Sequence, residues 1–147
     1  MAFLCELYAS TRIDELALMP WSAQQRKKFL RDQFELQHVH YQKFFPRADF
    51  LLVSHLTTPI GRIYIDRSMG DICIVDIALL PAWRGRGIGR ALLDEVCEEA
   101  RAGGRAINLQ VELNNPAYRL YIRMGFVCIE NRGAYDCLRL ASPACVN

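Results

Sequence analysis

The chain has 147 residues and a formal net charge of +2, and 52% of its residues are hydrophobic and 23% charged. This length and composition are typical of one globular domain, so we expect a single domain over residues 1–147. The small net charge excludes a broadly basic surface, and we expect no nucleic-acid or membrane partner. The six cysteines form no Cys-x-x-Cys pair and have no histidine at metal-ligand spacing, so we expect reduced thiols, no metal and a cytoplasmic location.

The beginning of the chain predicts no secretory signal, because Glu6 interrupts its apolar residues and no basic start precedes them. No apolar run approaches the roughly 20 residues that a membrane span requires. Residues 3–8 predict a short strand, and residues 12–19 predict a short helix. Ser22 is a good N-cap for a longer helix that runs to about residue 45.

Strands and two further helices are predicted along the rest of the chain. The strands are predicted at 49–56, 60–66, 71–80, 106–113, 126–131 and 135–140. The run at 71–80 is almost continuously apolar, which is typical of a strand buried on both faces. Helices are predicted at 87–102, where glycines 103 and 104 end the pattern, and at 116–124, with Pro116 as the first residue. This order predicts a mixed α/β domain with parallel neighbours only at the two β-α-β steps.

The segment LLPAWRGRGIGRALLDEV, residues 79–96, joins the buried strand to the third helix. Its glycines and arginines before the helix are Arg84, Gly85, Arg86, Gly87 and Gly89. A helix N-terminus exposes unpaired N–H groups and about half a positive charge, and missing side chains let an anion approach them. The segment therefore predicts a cradle for a phosphate or another oxyanion. The alternative is a tight turn between a strand and a helix, with incidental arginines.

The spacing of the glycines discriminates among phosphate-binding motifs. A dinucleotide fingerprint requires glycine at position 90, where the chain has Arg90, and the P-loop pattern is absent. The remaining pattern, Arg84-x-x-Gly87-x-Gly89, resembles the acyl-CoA signature of the GNAT superfamily of N-acetyltransferases. A phosphate loop for nucleotides is the weaker alternative.

A second segment, NNPAYRLYIRMGF at 114–126, is similar to another GNAT motif. The matching positions are Asn114, Ala117, Leu120, Tyr121, Gly125 and Phe126. The resemblance implies a GNAT-type α/β fold of the α+β kind, with a mixed central sheet of about seven strands flanked by about four helices. The fourth and fifth strands of such a sheet are parallel and splayed, and they hold acetyl-CoA between them. Acetyl-CoA is therefore the expected co-substrate.

The resemblance also implies which residues contact this co-substrate. The backbone of Ile77 and Leu79 should pair with the pantetheine arm, and Asn114 or its neighbour Asn115 should hydrogen-bond it. The pyrophosphate should lie on the amides of Arg84, Gly85, Arg86, Gly87, Ile88 and Gly89. The two arginine side chains either assist or remain solvated.

By the same resemblance, Tyr121 faces the thioester sulfur. A thiol has a pKa of about 8.5 and a tyrosine of about 10, so the hydroxyl can donate a proton to the departing thiolate. The alternative is an aromatic side chain that only packs in the core. The general base is open, because Cys73 occupies the position where some members have glutamate. Asp76, Glu112 and a chain of water molecules are the candidates.

The expected activity is transfer of an acetyl group to a primary amine of a small molecule or a protein, by direct attack in a ternary complex. The alternative is a non-catalytic acyl-CoA-binding sensor or interaction module. Gln33, Gln37 and Tyr41 recur at four-residue spacing on the second helix, where they either contact the acceptor or form a solvated edge. The acceptor is not identified by the sequence, and the resemblance is compatible with a homodimer.

Overall fold

The structure of the chain is a computed structural model that describes residues 2–16 and 22–142. The described residues form helices and strands that are, in chain order, α1 (Ala2–Leu16), α2 (Ala23–Phe44), β1 (Asp49–His55), β2 (Thr58–Asp66), β3 (Ile72–Leu79), α3 (Ile88–Gly103), β4 (Ile107–Glu112), α4 (Tyr118–Arg123), β5 (Val127–Asn131) and β6 (Tyr135–Leu140). A short 3-10 turn at Pro81–Trp83 connects β3 to the glycine-rich segment.

The first element is a helix, so the strand predicted at residues 3–8 is wrong. Leu4, Leu7 and Tyr8 lie three and four positions apart, which places them on one face of a helix. This face packs against α2, where the rings of Tyr8 and Phe34 have centroids 6.0 Å apart. Tertiary packing therefore decides the conformation. The helix predicted at 12–19 belongs to the same α1 up to Leu16, and its last residues lie outside the described ones.

Helix α2 begins where its sequence signal predicts. The Ser22 side chain accepts a hydrogen bond from the Gln25 amide at 3.1 Å, and the Gln25 side chain accepts one from the Ser22 amide at 2.8 Å. This reciprocal capping box satisfies two amide donors that the first helical turn leaves unpaired. Leu30 and Phe34 are buried on the side that faces α1 and the sheet.

The six described strands form one sheet in the order β1-β2-β3-β4-β6-β5, and β3 and β4 are its parallel neighbours. The mixed α/β architecture is confirmed. The resemblance implied about seven strands, whereas the described residues form six. The splayed pair is β3 and β4 in this numbering. The step from β4 through α4 to β5 does not produce neighbours, because β6 inserts between them and pairs antiparallel with both. The prediction of parallel neighbours at this second step is therefore wrong.

The main core lies between the sheet and helices α3 and α4. Its buried members include Ile63, Ile74, Leu93, Val96, Leu109 and Tyr121. Helix α3 ends at the C-cap Gly104, whose φ of +62° is a left-handed conformation that favours glycine. No helix within the described residues is long and apolar enough to cross a membrane.

Candidate active site

A cleft opens between the parallel strands β3 and β4. Their pairing covers only the first three residues of each strand and stops at Ile74 and Leu109. Beyond this point every residue from Val75 to Leu80 is half-buried, although β3 is a central strand of the sheet. A β-bulge lies at the same place, since Tyr64 of β2 pairs with Asp76 while the next residue pairs with Ile74. The bulge turns the end of β3 away from β4.

One edge of β3 faces this cleft. The Leu80 amide donates to the Ile60 carbonyl of β2 at 2.8 Å. Because backbone groups alternate along an antiparallel strand, those of Ala78 also point toward β2, whereas those of Ile77 and Leu79 point into the cleft. The Leu79 carbonyl already accepts a hydrogen bond from Arg84 Nε, so the geometry is compatible with the predicted contacts of a bound arm with the Ile77 backbone and the Leu79 amide.

The glycine-rich segment forms an uncapped helix start at the mouth of the cleft. Gly87 is the N-cap of α3, with φ of +79°, and it provides no side-chain cap. Among the described residues, none accepts a hydrogen bond from the backbone amides of residues 85–90, and the first intrahelical bond joins the Ala91 amide to the Gly87 carbonyl. A Cβ added at Gly85, Gly87 or Gly89 would meet nothing within 4 Å, so an anion can approach this backbone.

The two arginine side chains of this segment have partners of their own. Arg84 donates from Nε to the Leu79 carbonyl at 2.9 Å and from a terminal nitrogen to Ser10 Oγ at 3.3 Å. The Arg86 guanidinium lies 5.0 Å from the centre of the Trp83 ring, a cation–π contact. The backbone is therefore the free part of this cradle.

Asn114 and Asn115 differ in their bonding. Asn115 Oδ1 accepts from the Ala117 amide at 2.8 Å, which fixes the turn that leads into α4. This turn also delays α4 until Tyr118, so Pro116 is not its first residue as predicted. No described residue hydrogen-bonds the exposed Asn114 side chain, and a depression of about 460 Å³ lies beside both asparagines. Asn114 is therefore the asparagine with a free amide.

Tyr121 lies on α4 with its ring inside the core. It is 4% exposed, and its ring packs against Phe126 at a centroid distance of 5.7 Å. Burial, with a smaller contribution from the negative charge of Asp76, raises the pKa of Tyr121 to about 12. The hydroxyl is thus protonated at neutral pH and able to donate.

The opposite face of the sheet carries a buried polar cluster under α2, which we call the Arg62 cluster: Gln37, Tyr41, Arg62, Tyr64 and Asp76. Arg62 Nε donates to Asp76 Oδ2 at 2.6 Å, and an Arg62 terminal nitrogen donates to Gln37 Oε1 at 3.2 Å. The Arg62 side chain is 3% exposed and that of Asp76 21%. The sequence reasoning missed Arg62 and Tyr64. Their two-residue spacing within an apolar strand was the available signal, because it places two polar groups on one face of the sheet.

The candidates for a general base fall in different environments. Asp76 belongs to the Arg62 cluster, whereas Glu112 is exposed at the end of β4. Burial raises the pKa of the Cys73 thiol to about 11, so it remains protonated and is a poor base at neutral pH. Of the predicted stripe on α2, Gln37 and Tyr41 join the Arg62 cluster, while Gln33 is half-buried and lies outside it. Among the described residues, no three His, Cys, Asp or Glu side chains gather closely enough to hold a metal ion.

The fold is that of an acetyltransferase domain. A model of the acetyltransferase (GNAT) domain matches residues 46–128, which include the cradle and Tyr121. The match covers more than half of the chain, which therefore belongs to the GNAT acetyltransferase family, and the family resemblance is confirmed. A search of curated proteins finds no significant match.

Solved structures with a similar fold come from several organisms. PaiA N-acetyltransferase from Thermoplasma acidophilum in complex with coenzyme A is 18% identical, with a TM-score of 0.69 over 95% of this chain and 91% of that one. PH1933 from Pyrococcus horikoshii OT3 is 19% identical, with a TM-score of 0.67 over 95% and 90%. A GNAT family acetyltransferase from Elizabethkingia anophelis with acetyl-CoA bound is 17% identical, with a TM-score of 0.55 over 70% and 82%. At these identities the likeness concerns the fold.

Proposed function

We propose that the chain is an enzyme that transfers the acetyl group of acetyl-CoA to a primary amine of a small molecule or a protein, by direct attack in a ternary complex. The observation that carries this proposal is the cleft, where β3 stops pairing with β4 and the start of α3 leaves its first backbone amides without acceptors among the described residues. By the family resemblance, the protonated Tyr121 faces this cleft. The similar structures from T. acidophilum and E. anophelis, which contain coenzyme A and acetyl-CoA, support the choice of co-substrate.

The residues at the cleft fit a CoA thioester. The free amides of residues 85–90 can donate several hydrogen bonds to a pyrophosphate, and the open space at the glycines lets it approach. The cleft-facing backbone of Ile77 and the amide of Leu79, whose carbonyl is bonded to Arg84, can pair with the pantetheine arm as an added strand does. Asn114, with its free amide, is the better candidate of the two asparagines for a further hydrogen bond to this arm.

Bound acetyl-CoA supplies an electrophilic acyl carbon and a thiolate leaving group. In this proposal, a backbone N–H of β3 near Leu79 donates to the acyl oxygen as negative charge develops on it. Tyr121 donates its hydroxyl proton to the departing sulfur. Because the pKa of Tyr121 is about 12 and that of a thiol about 8.5, the hydroxyl is protonated when the thiolate forms and acts on it first as a hydrogen-bond donor.

Release of CoA thiol from acetyl-CoA in the presence of a panel of primary amines tests the proposal. Removal of the donor in Tyr121→Phe should lower kcat by about 100-fold, the lower range for general acid catalysis, and leave the KM for acetyl-CoA nearly unchanged. Full turnover by this variant would remove the role of Tyr121. Tight binding of acetyl-CoA without turnover on any amine would favour a non-catalytic acyl-CoA-binding module instead.

A further inference from the structure

The Arg62 cluster has bonding capacity that the described residues do not use. Asp76 Oδ2 accepts from Arg62, but no described residue donates to its second oxygen. Tyr64 is only 1% exposed, and its hydroxyl makes no hydrogen bond of normal geometry with any residue that the structure describes. A buried polar group without a partner is costly, and a site that binds a polar ligand is one place where such groups persist. The cluster therefore has the composition of a binding site.

Asp76 also occupies a special place, because it follows the bulge at which β3 leaves β4. Its negative charge contributes to raising the pKa of Tyr121 on one side of the sheet and of Tyr41 on the other, where burial is the larger cause in both cases. The carboxylate thus stands where β3 stops pairing with β4, at the point where the cleft opens. Its contact with Arg62, under α2, places it toward an acceptor that approaches from the α2 side.

We propose that Asp76 is the acceptor-side catalytic residue, which binds the ammonium group of the acceptor with its free oxygen and takes a proton from it, while Arg62 acts as a positioning residue. This inference rests on the proposed function and names its substrate class. The acceptor N–H bond breaks, and its proton moves to Asp76. The nitrogen lone pair that remains forms the C–N bond while the C–S bond breaks, and the sulfur takes its proton from Tyr121. The second proton that the nitrogen loses returns to the tyrosine or to solvent.

The surroundings of Asp76 indicate which amines it accepts. Its side chain is 21% exposed, whereas that of Arg62 is 3% exposed, so an acceptor meets the carboxylate and not the guanidinium. The Tyr41 ring, whose centroid is 5.7 Å from that of Tyr64, adds aromatic surface that favours a cation, whereas the Arg62 guanidinium already lies 5.1 Å from the centre of the Tyr64 ring. A carboxylate beside the amine would be repelled by Asp76 and could not reach Arg62. The expected acceptors are simple alkylammonium compounds, and the α-amines of free amino acids should be poor.

The groups that face Asp76 leave a clear pH window for a test. They are Arg62 and Tyr64 on β2, Tyr41 on α2 and Tyr121 on α4, with Tyr8 of α1 behind Tyr41. Burial raises the pKa of Tyr41 and of Tyr64, and that of Tyr121 is about 12, so these tyrosines remain protonated at neutral pH. Between pH 7 and pH 10 the rate therefore reports on Asp76 and on the acceptor amine.

The test measures kcat/KM for n-butylamine and for glycine, with acetyl-CoA as the donor, in Asp76→Asn and in Glu112→Gln. The second variant removes the other candidate carboxylate. In Asp76→Asn we expect the kcat/KM for butylamine at pH 7 to be at least 100-fold lower than in wild type. As the pH is raised, the kcat/KM of this variant should increase about tenfold per pH unit toward the amine pKa near 10.4. Glu112→Gln should match wild type. The thermal shift caused by CoA should persist in both variants. The proposal would be overturned by an equal loss of kcat/KM in the two variants, by a preference of the wild-type enzyme for glycine over butylamine, or by wild-type rates in Asp76→Asn.

Two further variants separate chemistry from folding. Asp76→Asn leaves Arg62 buried without its charge partner and is expected to lower stability. The double variant Arg62→Met/Asp76→Asn removes both charges and should fold, bind CoA and remain slow at pH 7, and Asp76→Glu should recover part of the rate. A fast double variant would overturn the inference alone. Absence of wild-type turnover with every amine would overturn the proposed function as well, so the two failures are distinguishable.

Discussion

The Gly89→Ala substitution tests whether Gly89 is needed for binding of the ligand or for the fold. Gly89 lies inside the first turn of α3, its φ is not in the left-handed region, and an added Cβ would meet no atom within 4 Å. The fold should therefore tolerate alanine. Alanine is the better helix former, so we expect a gain in stability of about 0.5 kcal/mol. If the pyrophosphate lies against this turn, however, the new methyl group occupies the space that the anion needs.

The two effects have opposite signs and comparable size. The loss of one charge-assisted hydrogen bond costs about 1.5 kcal/mol, which is roughly a tenfold weaker affinity. CoA at 100 times the wild-type Kd stabilises the wild-type protein by about 2.7 kcal/mol, and the same concentration stabilises the variant by only about 1.4 kcal/mol. At about 3 °C per kcal/mol, the wild-type Tm should rise by about 8 °C and the variant Tm by about 4 °C. The Tm of the variant without ligand should be about 1 to 2 °C higher than that of wild type.

Gly70→Ala is the matched control, because Gly70 also has open space around its Cα and lies in the turn between β2 and β3. Its CoA-induced shift should equal that of wild type. An unchanged CoA shift in Gly89→Ala would mean that no anion approaches this part of the backbone. Gly87→Ala is not a substitute for this test, since alanine at φ of +79° adds about 1–2 kcal/mol of backbone strain.

Three further outcomes are expected. Asn114→Ala should raise the KM for acetyl-CoA several-fold in steady-state kinetics. Asn115→Ala should instead lower the Tm in melting curves by loosening the turn before α4. The reverse pattern would exchange the roles of the two asparagines. Hydrogen bonds, first from Tyr118, hold the pKa of Asp136 below its usual range, so their stabilisation is present above pH 4 or so and is lost as the carboxylate is protonated. Tyr118→Phe should therefore lower the Tm at pH 7, with a difference that shrinks toward pH 3; a constant difference would contradict this assignment. Ser22→Ala should cost about 1 kcal/mol in urea unfolding, and an unchanged midpoint would exclude a contribution from the capping box.

Elements with strong local signals were predictable. Ser22 and Gln25 stand at the capping-box spacing, and the start of α2 follows from them without any other part of the chain. The same holds for the turn around Gly87, where missing side chains mark a backbone that remains accessible. The first helix was not predictable in this way, because the short pattern in residues 3–8 is ambiguous until Tyr8 packs against α2.

Features that depend on distant residues were not predictable. Arg62 and Asp76 are 14 positions apart and meet only because β2 and β3 pair in one register. A shift of that register by one residue would place one of the two on the opposite face of the sheet. The insertion of β6 beside β4 likewise depends on long-range pairing, which the order of elements does not specify.

This difference explains why the sequence indicates the co-substrate more clearly than the acceptor. The proposed cradle at residues 84–89 would bind through backbone groups, so its requirements appear as glycines at fixed spacing within one short segment. The proposed acceptor side consists of side chains of α2, β2 and β3, which can change one at a time without moving the main chain. Selectivity for the amine can therefore vary among chains that share this cradle. For this chain, the proposed selectivity depends on the free oxygen of Asp76, which becomes apparent only when the register of the sheet is known.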